Sequence, residues 1–310
     1  MPYNATARSE RLRKSLLRAS DRVVTSGPTT RTPFPSQSRV ARIELAECDL
    51  VRSAVTSVLR RGDGEAFVEP FAGGVATYAG PGSPLNKVVG LGFAEPVTPQ
   101  DLDRVEARFA AVKAPVQVEL SSLADPTVGE LLTQRGYRLV AMENVLGRSL
   151  SDEDAKETPT AGEIAVSHAD GMEAWMSILI EGFAAPNSGT VPAHDDFPRE
   201  ALEKAMHDMA GASGFVRYLA TLDGEMAGAA SVRLDGEIAQ LTGSATRPTY
   251  RRRGVQTALL AARFADAVRS GCKMAVITTQ PGSASHSNVH RAGFELMYLR
   301  AILRREPSAG

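Results

Sequence analysis

The chain has 310 residues, 43% of them apolar, which is enough for about two domains of ordinary size. Its 35 basic and 36 acidic residues leave a net charge of −1, so no global field draws it to nucleic acid or to an anionic membrane. No apolar run is long enough to predict a transmembrane helix, and the two cysteines, Cys48 and Cys272, predict reduced thiols in a cytoplasmic protein rather than a disulfide.

In chain order, residues 1–38 carry Arg8, Arg11, Arg13, Lys14, Arg18, Arg22 and Arg31 against only Glu10 and Asp21. They predict a disordered basic tail, in which a short amphipathic helix over residues 9–18 is compatible with a targeting or partner-binding arm. Within residues 39–150, Pro96-Val97-Thr98-Pro99-Gln100-Asp101-Leu102-Asp103 reads as a helix start. Ala107-Arg108-Phe109 lies in that helix, and Val116-Gln117-Val118-Glu119-Leu120 is a strand. Gly136-Tyr137 then opens a second strand that runs to Arg148. Residues 151–162, rich in Asp, Glu, Thr and Pro, read as a linker.

Beyond the linker, helical patterns cover residues 170–183 and 198–209. Residues 215–222, 226–234 and 236–246 form a strand meander with Asp223-Gly224 and Asp235-Gly236 at its turns. Arg247-Pro248 leads into Tyr250-Arg251-Arg252-Arg253-Gly254, a basic glycine turn placed directly before a helix that starts near Val255 and stops at Ser270-Gly271. Such a turn is an anion cradle: a helix N-terminus offers unpaired N–H groups and partial positive charge, and glycine lets backbone approach a phosphate. Residues 273–279 form a buried strand, parallel to the one before the helix. A short helix over 285–291, the step Gly293-Phe294 and a last strand over 296–303 complete the chain.

The two halves repeat one plan. Gly136-Tyr137-Arg138-Leu139 and Gly293-Phe294-Glu295-Leu296 stand 157 residues apart, as do Arg148 and Arg305. The first copy has neither arginine nor glycine where the second has its loop, and its Asp101 and Asp103 would repel a pyrophosphate, so it is expected to hold no such ligand and to serve in packing and in shaping one side of the site.

The loop Arg251-Arg252-Arg253-Gly254, with Pro248 and Tyr250 ahead of it and the Gly-Phe step downstream, resembles the Arg/Gln-x-x-Gly-x-Gly/Ala loop of the GNAT acetyltransferase superfamily. The resemblance implies an α/β (α+β) fold of two GNAT-like domains, each a mixed, mostly antiparallel sheet flanked by helices. Residues 39–150 would be the degenerate copy and 163–310 the acetyl-CoA-binding domain. It further implies that acetyl-CoA is a cosubstrate, held by Ser244, Ala245, Thr246, Arg251, Arg252, Arg253, Gly254, Val255, Gln256, Thr257 and Asn288. Gln256 departs from the family's glycine or alanine, with a side chain long enough to crowd a pyrophosphate.

Amide formation from a thioester needs a neutral amine, a polarised carbonyl and a proton for the departing thiolate. The family's usual tyrosine acid falls at about Val289, which has no proton to give. Glu181 and the segment Ala193-His194-Asp195-Asp196 are candidate bases, and Tyr298 is a displaced candidate acid, although Asp195-Asp196 equally reads as a helix cap and Tyr298 as strand packing. His286 and His290 share a helix face, but without a third ligand no metal is expected. The expected function is N-acetyl transfer to a primary amine of a small molecule by direct transfer, with no nucleic-acid or membrane partner, in a monomer or homodimer. A non-catalytic acyl-CoA-binding regulatory module is the alternative, and acetylation of protein N-termini a third possibility.

Overall fold

A computed structural model describes residues 35–62, 64–156, 164–184 and 197–307. The tail helix expected over 9–18, the second half of the linker (157–162) and the candidate base segment 193–196 lie outside the described residues. The N-terminal half comprises α1 (Gln37–Arg61), β1 (Phe67–Phe71), β2 (Gly74–Tyr78), β3 (Lys87–Val89), α2 (Pro99–Ala111), β4 (Val116–Ser121), α3 (Pro126–Gln134) and β5 (Arg138–Ser149). The C-terminal half comprises β6 (Ile164–His168), α4 (Glu173–Ala184), α5 (Arg199–Ala210), β7 (Phe215–Leu222), β8 (Glu225–Asp235) and β9 (Ile238–Thr246), followed by α6 (Val255–Arg269), β10 (Met274–Thr279), α7 (Ala284–Arg291) and β11 (Glu295–Arg305).

All eleven strands form one mixed, mostly antiparallel sheet in the order β1-β2-β3-β4-β11-β5-β10-β9-β8-β7-β6. The order shows an exchange: β5, the last strand of the first half, lies against β10, and β11, the last strand of the second, lies against β4. The two closing strands also pair with each other, antiparallel, so that one pair of positions 157 residues apart meets, Arg300 opposite Glu143. Sequence periodicity marks both strands but not their partners, because register across a sheet is set by tertiary packing.

Helices cover both faces. On one face α2 and α3 bury Leu102, Phe109 and Leu132 against β1 to β4, and α6 and α7 bury Leu259, Phe264 and Val289 against Ala239, Leu241 and Ala275. On the other, α4 and α5 meet Ala229 and Ala245, while α1 spans the seam between the halves. Helix α1 begins at Gln37, two residues inside the expected tail, with Ser36 as its N-cap. Its buried Val40, Ile43, Leu50, Val51, Ala54, Val55 and Val58 recur at helical spacing, a pattern not foreseen from sequence. Helix α2 is capped by Thr98, whose hydroxyl and the Asp101 carboxylate close a capping box, while Asp103 pairs with Arg135. The two aspartates therefore support the helix start without being its N-cap.

Beneath α1 the exchanged strands carry a buried charge cluster. Glu44 Oε1 accepts from Tyr298 at 2.5 Å and from Arg300 Nη2 at 2.9 Å; Arg300 also faces Glu119 and, at 3.8 Å, Glu143. Lys87 meets Glu119 at 2.5 Å. Burial, with help from Glu119, raises the Glu143 carboxyl to about 7 despite the opposing pull of Arg300 and Lys87.

Candidate active site

β9 and β10 run parallel from Met274↔Ile238 to Ile277↔Leu241, and there the pairing ends. β9 continues to Thr246 with β8 alone on its other side, so alternate backbone N–H and C=O groups of residues 242–246 face the gap without a strand partner. A register shift between Ala230 and Ser231, opposite Gly243, bends β9 at the start of this gap. The result is a cleft of about 730 Å³, in the range of small-molecule sites. β9 and β10 form its floor; α6 contributes Gln256, Leu260 and Arg263, and α7 contributes Ser285, Asn288 and Val289.

The mouth is the loop before α6. Gly254 has φ 88°, a left-handed conformation that glycine adopts without a Cβ clash, and it is exposed. Arg252 is also left-handed, with φ 61°. Gly254 provides no side-chain cap, so the first N–H groups of α6 keep their hydrogen-bonding capacity and the positive helix end opens on the cleft. Arg251 and Arg252 line the cleft; Arg251 Nε donates to the Thr246 carbonyl at 3.3 Å.

Most of the expected cofactor residues converge here: Ser244, Ala245, Thr246, Arg251, Arg252, Gly254, Val255, Gln256, Thr257 and Asn288 all line the one cleft. Arg253 does not. It turns outward to pair with Asp223 at 2.7 Å and lies over the Tyr250 ring. Gln256, expected to crowd the loop, is drawn to the floor, where its Nε2 donates to Ser244 Oγ at 2.8 Å.

The catalytic candidates separate. Glu181 sits on α4 beside the cleft residues Gly182 and Phe183, with its carboxylate paired to Arg247 at 3.0 Å. Tyr298 is removed from the cleft: it is 4% exposed beneath α1 with its hydroxyl committed to Glu44, and burial, reinforced by the Glu44 charge, holds the phenol well above its ordinary range. Its place on the α1 face of the closing strand accounts for this, since the cleft opens between two other strands. Val289 is 6% exposed in the core under α6. His286 Nδ1 lies 3.4 Å from Asn144 Nδ2 of the exchanged strand β5, and His290 is exposed. Among the described residues no group of three or more His, Cys, Asp or Glu side chains is placed to share a metal ion, and no helix is long and apolar enough to cross a membrane.

Two features were not foreseen from sequence. Gly182 lets α4 press on β9: a Cβ there would lie 2.3 Å from Ala245 Cβ. Arg263 is a charged residue within an apolar helix face, buried to 1% exposure. Its only sequence signal is its position seven residues after Gln256, on the same face as the loop.

Among the described residues of the first half, the corresponding strands do not open in this way. Its parallel pair β3 and β4 ends at Val89↔Glu119, and the segments beyond come together, with the Asp125 N–H donating to the Gly92 carbonyl at 2.9 Å. A Cβ on Gly92 would lie 2.8 Å from Asp125 N, so the approach leaves no room for a ligand arm between them.

Comparison with known proteins agrees with this geometry. Residues 174–294 match the model of the acetyltransferase (GNAT) family. A GCN5-related N-acetyltransferase from Kribbella flavida is similar over 87% of this chain and 96% of its own, at 16% identity and a TM-score of 0.59. A tandem GNAT protein from the clavulanic acid biosynthesis pathway is similar over 90% and 98%, at 12% identity and a TM-score of 0.55. A GCN5-related N-acetyltransferase from Sphaerobacter thermophilus covers 92% and 98%, at 16% identity and a TM-score of 0.50. At these identities the likeness is one of fold, and the fold is the tandem GNAT architecture. No curated protein matches the sequence.

Proposed function

We propose, from the match of residues 174–294 to the GNAT acetyltransferase family, that the protein is an acetyl-CoA-dependent N-acetyltransferase that acts directly on a primary amine of a small molecule. The observation that carries this reading is the cleft between the diverging β9 and β10, closed at its mouth by an exposed left-handed glycine at a helix start and two lining arginines. These residues fit the cosubstrate: Gly254 has no side chain to obstruct a diphosphate, and Gln256 is held aside by Ser244.

In this reading the amides of Val255, Gln256 and Thr257, with Arg251 and Arg252, hold the diphosphate. Strand groups at Ser244, Ala245 and Thr246, with Asn288, align the arm. Acetyl-CoA supplies an activated acyl group when bound. A backbone N–H of β9 facing the gap polarises the carbonyl, fixed in place by the strand before reaction begins. Residues 39–150 bind no cofactor and serve as the structural partner of the active half, to which they contribute β5.

Burial of Val289 where the resemblance leads one to expect an acid favours one other reading, a non-catalytic acyl-CoA-binding module. Calorimetric titration with acetyl-CoA, followed by a panel of small amines, amino acids, polyamines and aminoglycosides with free thiol as readout, decides between them. Binding with turnover supports the enzyme, binding without turnover on any amine supports the module, and absence of binding removes both.

A further inference from the structure

Arg263 and Arg300 are both buried guanidinium groups, and their surroundings differ. Arg300 is enclosed by Glu44, Glu119 and Glu143. Arg263 meets only neutral oxygens: Nε donates to the Leu259 carbonyl at 3.1 Å and Nη1 to the Ser231 carbonyl at 3.4 Å. Among the described residues no carboxylate is within ion-pair distance of it, and burial draws its pKa down to about 10. A buried cation without counter-charge is costly, on the order of several kcal/mol, and a fold that retains one at the lining of a cleft presents an electrostatic vacancy there.

The position of that vacancy is informative. Arg263 is eight residues into α6 from Val255, about 12 Å from the helix start at the helical rise. Its partner Ser231 pairs with Thr242, the residue after Leu241, where β9 and β10 part. Arg263 therefore stands at the closed end of the cleft, while the anion cradle is at the mouth. An arm whose diphosphate sits at the mouth has its thioester at the closed end. Among the described residues no acidic proton donor lines that end: Leu241, Ile277 and Val289 are apolar, and Tyr250, the tyrosine among the described lining residues, belongs to the mouth loop.

We propose that Arg263 is a catalytic residue that stabilises the departing thiolate of coenzyme A, in place of a proton donor. This rests on the acetyl-CoA reading of the cleft. In the step, the amine lone pair forms the C–N bond to the acyl carbon, and the C–S bond breaks with its electron pair remaining on sulfur. The resulting thiolate is paired with the Arg263 guanidinium, which keeps its own protons. The proton lost from the amine nitrogen passes to solvent, and the thiolate takes one from water after release. The products are the amide and coenzyme A.

The test is an ultraviolet titration of the thiol of coenzyme A bound to the full-length protein, at saturation established by calorimetry. In the wild type the bound thiol titrates at least one unit below the free compound, giving about tenfold more thiolate below the pKa. Arg263→Met abolishes the shift and Arg263→Lys retains part of it. The midpoint of chemical denaturation does not fall in Arg263→Met, because an uncompensated buried cation has been removed. Binding with an unshifted thiol in the wild type overturns this proposal alone, and needs no variant to show it. A shift that persists in Arg263→Met, or in Arg263→Gln should the methionine protein fail to fold, does the same. Failure of the wild type to bind coenzyme A overturns the reading of the cleft and this proposal with it.

Discussion

The contact between α4 and β9 at Gly182 yields a sharp prediction. In Gly182→Ala the new Cβ is placed 2.3 Å from Ala245 Cβ and 3.5 Å from Ala245 Cα, so α4 has to move outward by more than an ångström or β9 has to bend. Overpacking of this kind costs about 1–3 kcal/mol, and the better helix propensity of alanine returns about 0.5–1 kcal/mol. The expected net loss is about 1–2 kcal/mol. Ala245→Gly removes the atom that is struck, so in Gly182→Ala/Ala245→Gly the collision is gone, and the strand penalty of glycine is offset by the helix gain. The double variant should lie within about 0.5 kcal/mol of wild type, a coupling of at least 1 kcal/mol that a double-mutant cycle by chemical denaturation would measure. Because Gly182, Phe183 and Ala245 line the cleft, acetyl-CoA affinity should fall in the single variant and recover in the double. Additive effects, or a single variant as stable as wild type, would refute the packing argument.

Three further outcomes are expected. Gly254→Asp places a carboxylate at the helix start in a left-handed conformation; if the loop makes two or three phosphate contacts worth about 1.5–3 kcal/mol each, acetyl-CoA affinity drops by orders of magnitude in calorimetry, while the strained backbone lowers stability by only about 1–2 kcal/mol. Glu143, raised to about 7, binds its proton more tightly folded than unfolded, so the native state loses stability as pH rises from about 4.5 to 7 and levels off above. At about 1.36 kcal/mol per unit the loss is on the order of 3 kcal/mol, and it should be absent from the pH–stability curve of Glu143→Gln. Tyr298→Phe removes a donor from buried Glu44, whose Oε2 already has no hydrogen-bond partner among the described residues. It should lower stability by about 1–3 kcal/mol yet leave the kcat of folded protein unchanged; a collapse of kcat without loss of stability would return Tyr298 to the reaction.

The parts of this molecule written in local pattern were legible from sequence. Residues 238–279 announce strand, basic glycine turn, helix and parallel strand, because turn chemistry and apolar period act over a few neighbours. The cleft residues from Ser244 to Thr257 follow from that. Relations between distant segments were not legible. Tyr298 reads as a strand tyrosine in any register, and only α1 lying over it shows that its hydroxyl belongs to Glu44. Arg253 differs from Arg252 by one position in a run of like residues, and Asp223 across a hairpin turn decides which points outward. Arg263 interrupts an apolar stripe as many surface arginines do; that it is buried shows only in the contact with the Ser231 carbonyl of β8, a distant segment. Helix α1 was not read from sequence: Val40, Ile43, Leu50 and Val51 carry its period, but the basic segment ahead of it obscures its start.

The meeting of Glu143 and Arg300 has a consequence for how such a chain arises. Two identical subunits that exchanged their closing strands would be related by a twofold axis passing between these strands, and the residue on that axis would have to face its own copy. A glutamate there would meet a glutamate, an arginine an arginine. Joining the two copies in one polypeptide lifts that restriction, so that the axial site holds one acid and one base. Covalent duplication thus allows an attraction at the centre of the assembly that a symmetric pair of separate chains cannot encode.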